Sequence, residues 1–101
     1  MMTKNELYRK LIDKFGIDNQ ILKCVEELNE LGQALCKVQS KDENKAVAIK
    51  GVAEEIADVE IMLEQIKLIL GIEESDVKKM KSYKLHRTAR KYGFIDERGN
   101  V

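Results

Sequence analysis

Apolar side chains recur at every third or fourth position along most of this chain, and no proline interrupts the pattern. That spacing places them on one face of an α-helix, and no alternating pattern typical of strands competes with it. The 101 residues, of which 44% are hydrophobic and 36% charged, suffice for one core. The sequence therefore predicts an all-α protein with a single domain over residues 1–101.

Capping residues and glycines divide the pattern into four predicted helices. The first runs from Thr3, which forms a capping-box pattern with Glu6, to Gly16. We expect the second to begin at a cap from Asp18 and to end at Ser40. A loop is predicted over 40–51, and whether the next helix begins within it is left open. The third helix is predicted from about Val52 to Leu70, closing at Gly71. The fourth is predicted to be capped by Ser75 or Asp76 and to end at Tyr92 before Gly93, followed by an irregular tail over 94–101.

The third predicted helix is apolar around most of its circumference. Val52, Ile56 and Val59 belong to one wide arc, and Ala57 and Ile61 belong to a second surface behind it. Such a helix must be covered on several sides, and a chain of this length offers few companions. We therefore expect an antiparallel bundle of about four helices that is completed by dimerisation or higher assembly.

Charge and hydropathy exclude several classes of protein. Eighteen Lys and Arg balance eighteen Asp and Glu, so the net charge gives no reason to expect nucleic acid or an anionic membrane as a partner. No apolar stretch approaches the roughly 20 residues of a membrane span, and the first ten residues lack the apolar core of a signal peptide. Cys24 and Cys36 would lie about 18 Å apart along one helix, too far to pair. We expect a cytoplasmic protein with reduced thiols and no membrane contact.

Acidic residues repeat in the same pattern on the second and third predicted helices. Segment 25–31 (VEELNEL) is echoed by segment 53–59 (AEEIADV), so each helix carries three acids within about one turn. Like charges at this spacing repel by roughly 0.2–0.5 kcal/mol per pair, so helix stability alone does not favour them. If the two helices lie antiparallel, their acids face one another across a short gap. Converging carboxylates then require a cation, and oxygen ligands select Mg²⁺ or Mn²⁺.

A di-iron carboxylate site is excluded, because its Glu-x-x-His motif is absent. His86 is the only histidine, and Tyr83 stands three residues before it. We interpret His86 as a surface or half-buried residue of a basic helix.

The acidic residues match a pattern found in a known family. Glu26-Glu27-Leu28-Asn29-Glu30, followed by Glu55-Ile56-Ala57-Asp58, resembles the EExxE…ExxD signature of the MazG-like all-α nucleoside triphosphate pyrophosphohydrolases. The resemblance covers about Lys23 to Ile66. It implies hydrolysis of the α–β phosphate bond, giving a nucleoside monophosphate and pyrophosphate, by a homodimer or homotetramer. It also implies that Mg²⁺, with Mn²⁺ as a substitute, is bound by Glu27, Glu30, Glu55 and Asp58.

Proton transfer and phosphate binding require residues other than the four metal ligands. Phosphoryl transfer depends mainly on positioning and charge neutralisation. Glu26 and Glu54 are candidates to accept the proton of the attacking water, and we favour Glu26. Lys37, together with Lys84 and Arg87 of the basic run 77–91, is predicted to contact phosphates. The few aromatic residues provide no evident platform for a base, so the sequence does not indicate which base is bound.

Two other functions fit parts of the pattern. A non-catalytic helical oligomerisation or interaction module explains the amphipathic helices but not the doubled acidic pattern. Nucleic-acid binding through the basic run 77–91 is disfavoured, because the acids on neighbouring helices would repel the same polyanion and no known reading motif accompanies the run. The run is equally compatible with a solvated helix face.

Overall fold

The computed structural model describes residues 1–41 and 44–95, and in this part of the chain all regular structure is helical. The predicted all-α class is therefore confirmed for the described residues. None of the helices combines the length and the apolar character needed to cross a membrane. The four helices are α1 (Lys4–Phe15), α2 (Ile17–Gln39), α3 (Lys45–Leu70) and α4 (Glu74–Tyr92).

α1 begins and ends as predicted, and the residue that caps its C-terminus is also the residue before the first turn of α2. Thr3 Oγ1 accepts a hydrogen bond from the Glu6 N–H at 3.1 Å, and the Glu6 carboxylate accepts one from the Thr3 N–H at 3.2 Å. Gly16 closes α1 with a φ of 89°, which glycine adopts without a Cβ clash. α2 follows directly from Ile17, so the predicted cap at Asp18 is wrong. Asp18 instead lies in the first turn, where its charge suits the helix dipole.

α3 begins at Lys45, well before the predicted start near Val52. Asn44 caps it, because its side-chain oxygen accepts hydrogen bonds from the N–H groups of Ala46 and Val47 at 3.0 and 3.2 Å. Ala48 in the first turns is buried and contributes to the core. The predicted loop is therefore confined to the residues before Lys45, of which residues 42 and 43 lie outside the described part of the chain.

The start of α4 also differs from the prediction. Glu73 occupies the cap position and makes no side-chain cap bond, so neither Ser75 nor Asp76 is the cap. The predicted end is confirmed, because Gly93 follows the last helical residue in the left-handed conformation, with a φ of 71°. Phe94 and Ile95 are not helical, and the rest of the predicted irregular tail, residues 96–101, lies outside the described residues.

The chain forms two compact units, Met1–Leu70 and Gly71–Val101. In the first unit, α2 and α3 pair in opposite directions. Gln20, near the start of α2, donates a hydrogen bond through Nε2 to Oε1 of Gln65, near the end of α3, at 2.7 Å. Glu27, later on α2, meets Asp58, earlier on α3. The single domain, the complete four-helix bundle and its completion by a second copy remain predictions.

α1 contacts α3 through a partly buried polar anchor. Tyr8 is buried, and its hydroxyl donates a hydrogen bond to the Glu64 carboxylate, which also lies 3.3 Å from Lys4 Nζ. Burial, followed by the bond to Glu64, raises the pKa of Tyr8 to about 12. The same bond is the main reason that the pKa of Glu64 is lowered. The anchor fixes α1 beside the α2–α3 pair.

Candidate metal centre

The antiparallel pairing brings together acidic side chains from both helices. Glu27 of α2 is buried, Glu55 of α3 is half-buried, and Asp58, about one turn after Glu55, is exposed. One carboxylate oxygen from each of the three residues lies within 4.8 Å of the other two. These three side chains, called here the acid cluster, are three of the four predicted metal ligands.

The acid cluster contains oxygen atoms that lack any hydrogen-bond partner. Oε2 of Glu27 and Oε2 of Glu55 are both buried, and neither has one. Glu27 as a residue is only 7% exposed. A buried polar atom without a partner is destabilising, and more so if it is charged. The fold therefore holds two oxygen atoms where a positively charged ligand would be stabilised.

Electrostatic coupling connects the fourth predicted ligand, Glu30, to the same site. The pKa of Glu55 is raised, first by burial and then by the negative charges of Glu30, Asp58 and Glu27. Glu30 is exposed on α2 and does not belong to the three closest oxygens. Its charge nevertheless acts on Glu55, so all four predicted ligands belong to one electrostatic environment.

Lys23 flanks the acids along the sequence of α2, and the structure pairs it with two of them. Its Nζ lies 3.3 Å from Glu27 Oε1 and 3.7 Å from Glu26 Oε2. The hydrogen bond and the charge of Glu27 raise the pKa of Lys23. The spacing of three and four residues along α2 was the signal for these pairs. A single exposed lysine neutralises only part of the charge of four neighbouring carboxylates.

Two cavities of different character adjoin the acid cluster. The first, called here the apolar groove, has a volume of about 560 Å³ and is lined on one side by Glu26, Glu27 and Asp58. Its other lining consists of one cation, Lys23, and of Leu11, Phe15, Asn19, Gln20, Leu22, Ile61, Met62 and Gln65. The second, called here the polar pocket, has a volume of about 430 Å³, and its lining includes Glu30, Ala34, Lys37, Gly51, Glu54 and Glu55. The cluster therefore separates an apolar cavity from a polar one.

The two candidate general bases lie on different sides of the acid cluster. Glu26 is exposed, lines the apolar groove and pairs with Lys23. Glu54 is exposed and lines the polar pocket. Both are adjacent in sequence to a member of the acid cluster, and neither has an oxygen within it. The geometry leaves the two alternatives open.

The predicted phosphate-binding residues are divided between the two units. Lys37 lines the polar pocket beside Glu30 and Glu55 in the first unit. Lys84 and Arg87 belong to α4 in the second unit, where the Arg87 guanidinium lies 5.8 Å from the ring centroid of Tyr83. His86 of α4 is half-buried, as expected from the sequence. Only Lys37 is placed next to the acids within its own unit.

Along the α2–α3 pair, facing residues form three layers, and each layer lies seven residues from the next on both helices. Seven residues are close to two helical turns, or about 10.5 Å, so such positions share one face of a helix. The buried amides were not predicted, although their spacing from the acids was visible in the sequence. The layers are an amide layer (Gln20 and Gln65), an acid layer (Glu27 and Asp58) and a small-residue layer (Ala34 and Gly51).

Comparison of the chain with protein-family models, curated proteins and solved structures found no match.

Proposed function

We propose that this protein is a Mg²⁺-dependent nucleoside triphosphate pyrophosphohydrolase of the MazG-like type. The observation that carries this proposal is the pair of buried, unpartnered oxygens of Glu27 and Glu55, in a cluster whose carboxylates approach within 4.8 Å of one another and of Asp58. The resemblance of the EExxE…ExxD pattern gives the reaction class. The site supports it with an oxygen-rich environment next to two cavities.

The donor set favours a small, hard divalent cation. All the available ligand atoms are carboxylate oxygens, which suit Mg²⁺ or Mn²⁺ better than Zn²⁺. Glu27, Glu55 and Asp58 provide the nearest oxygens, and Glu30 completes the set of four acids. Mg²⁺ usually keeps several water ligands, so an exposed Asp58 and an open cavity beside it are compatible with binding a hydrated ion.

The chemistry assigned to the site is attack by water on the α-phosphorus. When bound, the metal neutralises phosphate oxygens and lowers the pKa of a coordinated water. Glu26, or alternatively Glu54, accepts a proton as the new oxygen–phosphorus bond forms. The bond from the α-phosphorus to the bridging oxygen breaks, and pyrophosphate leaves with the electron pair. Lys37, which lines the polar pocket with Glu30 and Glu55, is assigned to neutralise part of the negative charge of the leaving phosphates.

We also propose that the protein works in the cytoplasm as a homodimer or homotetramer. Both cysteines are free, which suits a reducing compartment. Four large apolar residues follow one another at seven-residue spacing along α3, and each is between 39% and 59% exposed. Helical packing between copies is the usual use of such a stripe. The stripe consists of Ile49, Ile56, Leu63 and Leu70.

The direct test is hydrolysis of a panel of ribo- and deoxyribonucleoside triphosphates with Mg²⁺. Nucleoside monophosphate and pyrophosphate are the expected products, and Glu55→Gln should abolish their formation. Glu60→Gln is the matched control, since Glu60 is an exposed acid of α3 outside the acid cluster. Undiminished hydrolysis by Glu55→Gln would contradict the proposal. Absence of both hydrolysis and metal uptake would favour the non-catalytic interaction module.

A second test concerns the cations of α4. If Arg87 contacts phosphates, Arg87→Ala should raise the KM for the nucleotide and leave Mn²⁺ affinity unchanged. An unchanged KM would remove Arg87 from the substrate site.

A further inference from the structure

We propose that the apolar groove holds the nucleobase and that the polar pocket receives the terminal phosphates, so the nucleotide lies along the α2–α3 pair in one fixed direction. This inference rests on the proposed function. It follows from the different character of the two cavities on either side of the acid cluster. It names Phe15, Gln20 and Gln65 as the residues that bind the base.

The apolar groove has the composition expected of a site for a flat aromatic ring. Three of its large apolar residues, Phe15, Leu22 and Ile61, are between 44% and 60% exposed although they surround one concave cavity. Single exposed apolar residues are common on protein surfaces, but several converging on a cavity beside charged groups are typical of ligand sites. A phenyl ring such as that of Phe15 provides a stacking surface for any base.

The amide layer supplies the hydrogen-bonding groups that an apolar groove otherwise lacks. Gln20 is 7% exposed and Gln65 is 1% exposed, and their side chains are held together by the 2.7 Å bond. Each amide offers two donors and an acceptor with two lone pairs, so one mutual bond leaves capacity for a ligand. Gln65 Nε2 has only the Met62 sulfur at 3.6 Å as an acceptor, which is a weak partner. Fixed amides of this kind can read the polar edge of a base.

The spacing of the layers matches the length of a nucleotide. Gln20 and Gln65 both lie seven residues, about 10.5 Å along the helix, from the acid layer. A base at the amide layer therefore places the phosphates at Glu27 and Asp58, with the ribose between them. Each cavity is lined by three acids and one lysine, Lys23 in the groove and Lys37 in the pocket, so charge does not distinguish them. The direction is set by the apolar side chains and amides of the groove, which suit a base better than phosphates.

The polar pocket provides room and one positive charge for the outer phosphates. Lys37 is the only cation among the described residues that line it, and it stands seven residues beyond Glu30 on α2. Gly51 lines the pocket on α3, and a Cβ built there meets no atom within 4 Å, so the pocket has open space at this position. The pyrophosphate product would leave through this pocket.

The test compares a base-bearing ligand with one that has no base. Calorimetry with Mg²⁺ measures the affinity of wild type and variants for an α,β-imido nucleoside triphosphate and for inorganic tripolyphosphate. Phe15→Ala should weaken nucleotide binding by about tenfold, the scale of one base–aromatic stack, and leave tripolyphosphate binding unchanged. Ile17→Ala is the matched control, because Ile17 lies at the same α1–α2 junction, is 53% exposed against 48% for Phe15, and does not line the groove.

A second variant tests the amide layer. Gln20→Met keeps the side-chain length but removes the hydrogen-bonding group, and it should reduce the preference between bases by at least about tenfold. Thermal unfolding, followed by circular dichroism, checks that this variant is folded. If Gln20→Met does not fold, Phe15→Ala alone decides the outcome.

The outcomes separate this inference from the proposed function. Hydrolysis by wild type, with nucleotide affinity unaltered in Phe15→Ala, would overturn the base site and leave the enzyme proposal standing. Equal weakening of nucleotide and tripolyphosphate would also overturn it, since the effect would not depend on the base. Selective loss of nucleotide binding without hydrolysis would support the base site and contradict the catalytic proposal. A wild type that binds no nucleotide would overturn both.

Discussion

Neutralising one acid of the cluster should have opposite effects on the metal-free and the metal-loaded protein. In the absence of metal, Glu55→Gln removes a charge that burial and three neighbouring acids disfavour. The variant should therefore unfold at the same temperature as wild type or higher. With metal present, the variant lacks a ligand and should gain little stability. Most substitutions of partly buried groups destabilise a protein in all conditions, so this reversal is diagnostic.

The size of the metal effect follows from mass action. A ligand that binds only the folded state at 100 times its Kd stabilises that state by about 2.7 kcal/mol. For a domain of this size, each kcal/mol corresponds to at least about 4 °C in Tm, so saturating Mn²⁺ should raise the Tm of wild type by roughly 10 °C. If the substitution weakens binding about 100-fold, the same Mn²⁺ concentration equals the Kd, and the gain falls to about 0.4 kcal/mol. The expected shift is then roughly 2 °C.

The pH dependence of the metal-free protein provides an independent check. The pKa of Glu55 is raised above its ordinary value of 4.5 in the folded state. The contribution of this group to stability is therefore complete below about pH 4.5 and is lost as the pH rises through the folded pKa. That decline should be absent from Glu55→Gln and present in Glu60→Gln, which alters an exposed acid outside the cluster.

The assay is thermal unfolding by circular dichroism, with and without Mn²⁺, over a range of pH. Without metal, Glu55→Gln could unfold at a Tm well below that of wild type. That result would show that the Glu55 carboxylate stabilises the fold and is not a metal ligand destabilised by its acidic neighbours. An identical Mn²⁺ response in wild type and Glu55→Gln would refute the assignment of Glu55 to the metal site.

Three further predictions concern parts of the first unit. Tyr8→Phe should lower the free energy of unfolding at pH 7, measured by urea denaturation, by about 1 kcal/mol, because the hydrogen bond to Glu64 is lost. The difference from wild type should disappear below pH 4.5, as the pH falls through the lowered pKa of Glu64. Gly51→Ala and Gly32→Ala should each stabilise the fold by about 0.5–1 kcal/mol, because neither added Cβ meets another atom. Only Gly51→Ala should raise the KM for a triphosphate, and equal KM changes in the two variants would contradict the polar-pocket assignment. Asn44→Ala should cost about 1 kcal/mol through loss of the α3 cap, measured as a lower Tm, whereas an unaltered Tm would mean that the cap contributes nothing.

Local sequence signals located the start of α1 and the C-terminal end of every helix, and they failed at the starts of α2, α3 and α4. The capping box at Thr3 and the glycines at positions 16 and 93 act through short-range backbone chemistry, so they could be identified directly. Asn44 lies in a polar stretch that resembles a loop, and burial of Ala48 favours a helical conformation there. That burial depends on packing against residues distant in sequence, which a capping signal does not reveal.

The acidic pattern shows the same division. The phase of Glu27 on α2 and of Glu55 and Asp58 on α3 is fixed by helical periodicity, so their convergence could be predicted for antiparallel helices. The sequence did not predict that Glu30 would stay outside the closest group, because a side chain's distance from its partners depends on the rotation of each helix about its axis.

The sequence by itself determined the presence of the four helices, their C-terminal ends and the faces that carry the acids, because these depend on local periodicity and on caps. Only the tertiary structure decided that Gln20 and Gln65 form a buried pair and that the acid cluster stands between an apolar groove and a polar pocket. The physical reason is that register and rotation between packed helices follow from the fit of many side chains at once. No single residue type or spacing carries that information.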